Sequence, residues 1–109
     1  MSITAMTGLT PDWFTPAQQE GEQVARFLLK PLTGFEFAGA VADIKVNSER
    51  GYRALVSKSL IGWENVLNES GEQFEFKPEN FDKLPGIVLL EIGDEAYKRA
   101  VLAGEKEKN

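Results

Sequence analysis

Four groupings in this chain carry side chains of the kind that do chemistry. They are the carboxylate pairs Glu69 with Glu72 and Asp94 with Glu95, the run Ser57-Lys58-Ser59, and the oxygen-rich turn Asn68-Glu69-Ser70-Gly71-Glu72. Paired carboxylates cleave glycosidic bonds when they flank one bond inside a cleft. Here one pair falls on a turn and the other on the face of an expected helix, where acids are normally solvated. A Ser-Lys pair needs both side chains to converge, and adjacent helical residues point in different directions. The turn has oxygens but lacks the ligand spacing of a calcium loop. Gly34 and Gly39 match no phosphate-binding glycine pattern. The chain has no cysteine and no histidine. It therefore lacks a thiol nucleophile, thiolate zinc ligands and the commonest general base. The residues point to binding rather than catalysis, with no cofactor and no metal.

The elements that position these residues come from a chain of 109 residues, 42% hydrophobic, which is the size of one domain. A domain of this length buries roughly two-thirds of its unfolded surface without disulfides or metals. The net charge of −5 argues against nucleic acid, whose phosphates demand Lys and Arg. The charge is uneven: residues 26–58 carry six bases against three acids, and residues 59–109 carry six against eleven. Such asymmetry marks either two solvated faces or complementarity toward a partner or a second copy. The longest apolar run, Ile87–Leu90, is far short of a membrane span. Met1–Leu9 has no signal-peptide pattern. These features place the chain in the cytoplasm, without a membrane partner.

Residues 1–21, with Pro11 and Pro16, read as a mostly irregular arm. Its aromatic pair Trp13 and Phe14 either packs back on the domain or docks on a neighbour. The rest reads as a single domain over 22–103, followed by a charged flexible tail over 104–109. A strand is expected over about 23–30 from alternation. Thr33 and Glu36 form a capping box, which starts a helix over about 34–42. Asp43–Val46 reads as a short strand or a connection. A helix over 49–61 follows, capped by Asn47 or Ser48 and stopped by Gly62. A hairpin is expected over about 63–76 around Asn68-Glu69-Ser70-Gly71, with Trp63 locking it to the preceding helix. Pro78 begins a helix over about 78–84, and a last helix spans about 87–103 with Gly93 as a soft point. The order implies an α+β fold in which a small antiparallel sheet is packed with helices.

Arg26–Gly34 (RFLLKPLTG), the helix running into Leu60-Ile61-Gly62-Trp63, the turn NESGE and the Phe76–Asn80 segment FKPEN stand together along the chain. Over about Arg26 to Asn109 this pattern resembles the tail assembly chaperones of long-tailed bacteriophages and prophages. The resemblance implies a non-enzymatic protein that coats the apolar, helical tape-measure protein, prevents its aggregation and helps recruit tail-tube subunits. It implies action in the host cytoplasm and absence from the mature virion. In many such systems ribosomes slip near the end of the gene and make a longer form. The ending Glu107-Lys108-Asn109 is compatible with an A-rich slippage heptamer, and the resemblance makes this chain the short form. Helix-in-groove binding would use the 49–61 helix together with the last helix. The residues assigned to the partner are Tyr52, Arg53, Leu55, Tyr97, Trp13 and Phe14. Self-association is also expected, because an extended client favours many copies side by side. The alternatives are a structural or tail-completion virion protein, or a small protein-binding domain of another kind.

Overall fold

A computed structural model describes residues 10–17, 19 and 24–107, of which 103–107 are described by their backbone. The elements run β1 (Asp12–Phe14), β2 (Arg26–Leu29), α1 (Gly34–Val46), α2 (Ser48–Ser59), β3 (Leu60–Glu64), a 3₁₀ helix (Pro78–Lys83) and α3 (Gly86–Glu107). The fold is α+β, with a three-stranded antiparallel sheet in the order β1-β2-β3. Phe27 of the central strand faces Phe14 on one side and Trp63 on the other. The β2–β3 register shifts between Leu28 and Leu29, whose partners are Gly62 and Leu60. Ile61 is thereby left as the extra residue of a bulge, and it is 40% exposed.

Local chemistry sets the element ends. The Thr33 hydroxyl accepts from the Glu36 amide at 3.1 Å, and the Glu36 carboxylate accepts from the Thr33 amide at 2.9 Å, closing the capping box. Asn47 serves two helices at once. Its amide donates to the Asp43 carbonyl at the end of α1, and its side chain accepts from the Arg50 amide at the start of α2. Val46 and Ser48 are thus separated by a single residue, and the two helices pack as a tight pair. Gly51 is required there: a Cβ would lie 2.1 Å from Ile44 Cγ1 and 2.7 Å from the Ile44 backbone.

The core lies in two clusters. Phe27, Leu29, Val56, Leu60, Leu84 and Ile92 join the sheet to α2 and α3. Leu32, Ala40 and Leu55 join α1 to α2. Beside the first cluster Trp63 meets Phe27 and Phe76 edge-on and Phe74 in a stack. Its indole N–H donates to the Phe74 carbonyl at 2.8 Å.

Several expectations are corrected. The mostly irregular arm contains one short strand that was not expected, Asp12–Phe14, which pairs with β2. Arg99 of α3 donates to the carbonyls of Asp12 and Trp13 at 3.2 Å each, which holds the short strand in place. The first described strand residue is Arg26 rather than 23, and Gln23 lies outside the described residues. Asp43–Val46 is helical, so α1 is four residues longer than expected. Gly62 does not stop α2: Leu60 already has extended backbone, and Gly62 sits within β3 opposite Leu28. The hairpin reduces to one bridge, Leu67 with Gln73, around a turn in which Gly71 takes φ 80°. The Phe74 amide still donates across the turn to the Val66 carbonyl at 2.7 Å, and the Phe74 and Phe76 rings pack on Trp63. The Pro78 helix is a 3₁₀ helix. α3 continues through Glu107, into the segment expected to be a charged flexible tail. Residues 1–9, 18, 20–23 and 108–109 of the arm, domain and tail assignments lie outside the described residues.

Candidate functional site

Helix α2 has two working faces. Gly51, Leu55 and Ser59 are buried toward α1 and the sheet, with the Ser59 hydroxyl donating to the Leu55 carbonyl at 2.6 Å. Tyr52 and Val56 turn toward α3. There the Tyr52 ring packs on Gly93, where a Cβ would come within 2.6 Å of it. Gly93 is thus a contact point rather than a soft spot. The Tyr52 hydroxyl donates to the Asp94 carboxylate, and this bond holds the phenol above its ordinary range.

Between these helices and the 3₁₀ helix lies an open groove of about 480 Å³. Its floor is apolar: Val56 is buried, and Tyr52, Phe81 and Leu89 are half-buried. Leu90 stands on its lip, 49% exposed. The rim is charged. Arg53 donates to Glu49 four residues earlier, and Asp82 stands close enough to favour the charged guanidinium. An apolar trough with a few charges on its edge suits an amphipathic segment better than a small polar substrate.

The residues assigned to partner binding are only partly brought together. Tyr52 and Arg53 line the groove. Leu55 does not face a partner: it is 1% exposed and belongs to the α1–α2 cluster. It was read onto the wrong face because α2 is apolar on two sides. Tyr97 is 41% exposed and packs on Phe37 of α1, with ring centroids 5.3 Å apart, away from the groove lining. Phe14 packs on the main core cluster. Trp13 is 36% exposed on the edge strand, with the Arg26 guanidinium 4.7 Å above its ring. Phe81, Leu89 and Leu90 were not assigned to the site. The partial signal was Leu89-Leu90, since adjacent helical residues lie about 100° apart and spread the apolar stripe beyond one face; Phe81 had none.

Several members of the chemical groupings hold structure. Asp94 accepts from Tyr52, and Glu95 holds Arg99 at 2.7 Å. The Asn68 side chain accepts from the Ser70 and Glu72 amides at 2.9 and 3.0 Å, which makes the turn. The Ser57 hydroxyl donates to the Arg53 carbonyl at 2.6 Å. Among the described residues no group of three or more acids converges as a metal site, and no helix is long and apolar enough to cross a membrane. Comparison with protein-family models, with curated proteins and with solved structures finds no match for this chain.

Proposed function

We propose that this chain is a non-enzymatic tail assembly chaperone of the long-tailed-phage kind, acting in the host cytoplasm. Its α2–α3 groove holds helical segments of a tape-measure protein, and it helps bring tail-tube subunits to the growing tail. The reading rests on the resemblance over Arg26 to Asn109 and, in the structure, on one observation: an open trough with an apolar floor and a charged rim. Its α2 wall, Ser48 to Val56, is about 12 Å long, or roughly two helical turns. Apolar anchors at i, i+3 or i+4 and i+7 of a client helix match that length. Burial of the anchors removes apolar surface from water at about 25 cal/mol per Å², which is what a client needs to stay out of aggregates.

The test is co-expression with the tape-measure protein of the same genome. The wild-type chain keeps the client soluble and co-purifies with it. Leu90→Glu places a charge on the groove lip and loses the client, yet melts within about 0.5 kcal/mol of wild type, because Leu90 is half-exposed. A wild-type chain that leaves the client insoluble refutes the proposal. Mass spectrometry of purified virions that finds this chain in the particle favours a structural virion protein instead.

A further inference from the structure

The groove between α2, α3 and the 3₁₀ helix offers a client more than an apolar floor. Its lining includes the charged side chains of Glu49, Arg53 and Asp82. Glu49 and Arg53 stand one turn apart on the α2 wall, and Asp82 stands on the wall made by the 3₁₀ helix. Arg53 donates to Glu49, and Asp82 is close enough to favour the charged guanidinium. The rim thus sets two carboxylates around one cation, and that cation is already engaged from both walls. All three groups are exposed, so an incoming side chain can reach them. The Tyr52 hydroxyl, a polar group of the floor, is taken by a further acid, Asp94. Lys83, beside Asp82 in sequence, does not line the trough.

A charge carried in by a client therefore meets unequal conditions. A carboxylate brought to this rim is the third acid around one guanidinium. An ammonium or guanidinium finds two carboxylates that share a single cation, and it pairs with either while Arg53 keeps the other. The field of the whole chain has the same sign. The net charge is −5, and residues 59–109, which supply the 3₁₀ and α3 walls, carry six bases against eleven acids. Such a field speeds the approach of cations and slows that of anions.

We infer that the groove selects an amphipathic helix whose apolar stripe is flanked by lysine or arginine, one flank facing Glu49 and the other facing Asp82. The inference rests on the reading of the trough as a helix-binding groove and adds which helices it takes. With apolar anchors at heptad positions a and d, the flanking positions are e and g. The apolar floor supplies most of the affinity, and the rim supplies the choice between clients.

Three synthetic peptides of about 15 residues test it on the full chain. They share leucine at a and d in an alanine background and differ only at e and g, which carry lysine, glutamine or glutamate. Binding is read by fluorescence anisotropy up to about 1 mM protein. At an ionic strength of about 0.01 M the lysine peptide binds about tenfold more tightly than the glutamate peptide, with glutamine between them. At about 1 M the difference falls below about twofold, because exposed pairs are screened. Glu49→Gln and Asp82→Asn each lower the preference about threefold and leave the melting curve in place, since both positions are exposed. Glu69→Gln removes the same charge from the 68–72 turn, outside the groove, and leaves the preference near its wild-type value. Equal binding of the lysine and glutamate peptides overturns the inference and leaves the groove reading standing. A preference that Glu69→Gln lowers as much as Asp82→Asn belongs to the whole chain rather than the rim, and also overturns it. No binding by any of the three peptides overturns the inference together with the groove it rests on.

Discussion

Replacing Gly51 by alanine sets two effects of opposite sign against each other, and the structure decides between them. Alanine favours a helix over glycine by about 1 kcal/mol. Against this, the new Cβ would stand 2.1 Å from Ile44 Cγ1 and 2.7 Å from both Ile44 Cα and Ile44 N. The side chain could rotate away, but the backbone contacts yield only if α1 and α2 move apart by about 0.7 Å, the distance to ordinary van der Waals contact. That movement loosens Leu32, Ala40 and Leu55 together. Overpacking costs about 1–3 kcal/mol, and a clash with backbone on both sides puts this site at the upper end, about 2–3 kcal/mol. The expected net result is a loss of about 1–2 kcal/mol, or about 4–16 °C in Tm at 4–8 °C per kcal/mol. Gly39→Ala is the control with the opposite sign. Its Cβ meets nothing within 4 Å, so it gains about 0.5–1 kcal/mol. Urea titration and thermal melting of the two variants beside wild type give the answer. A Gly51→Ala protein as stable as wild type would refute the close approach of α1 to α2.

Two further perturbations probe the capping box and the aromatic cluster. Thr33→Ala removes the side-chain cap of α1 and costs about 1 kcal/mol by urea titration. The carboxyl of Glu36 lies below its ordinary 4.5, chiefly through the Thr33 backbone N–H and then through Lys30. Its contribution is therefore present above that value and lost as pH falls through the lowered one. This acid loss persists in Thr33→Ala and flattens in Glu36→Gln; persistence in the latter would contradict the assignment. Trp63→Phe removes the bond to the Phe74 carbonyl and part of the ring packing, at about 1–2 kcal/mol, and Trp63→Ala costs about 3–5 kcal/mol. Equal stability of Trp63→Phe and wild type would show that the indole does not fix the 65–76 segment.

Signals that act within one turn of chain were legible in the sequence. The Thr33–Glu36 box, the Asn47 cap, Pro78 at a helix start and the Asn68 turn all stand where the residues put them. Signals that depend on distant partners were not. Asp43–Val46 looked extended by itself and is helical because Ile44 packs on Gly51 and Asn47 terminates the helix behind it. Gly62 looked like a stop, yet it lies in a strand because β2 needs a partner opposite Leu28. Asp12–Phe14 was hidden between two prolines, and its support comes from Arg99. The groove does lie between the two helices that helix-in-groove binding was expected to use. Which of their residues face the groove was not legible, because α2 presents apolar side chains in two directions and only packing tells Leu55 from Val56.

The two bonds from Arg99 to the carbonyls of Asp12 and Trp13 span 87 and 86 residues of chain. During synthesis at about 5–20 residues per second, roughly 4–17 s separate the emergence of β1 from that of the arginine that secures it. Throughout that interval β2, with Phe27 and Leu29 on one side, presents an edge that any neighbouring strand could take. The growing chain is thus more vulnerable to mispairing than the finished one, and the protection arrives with α3.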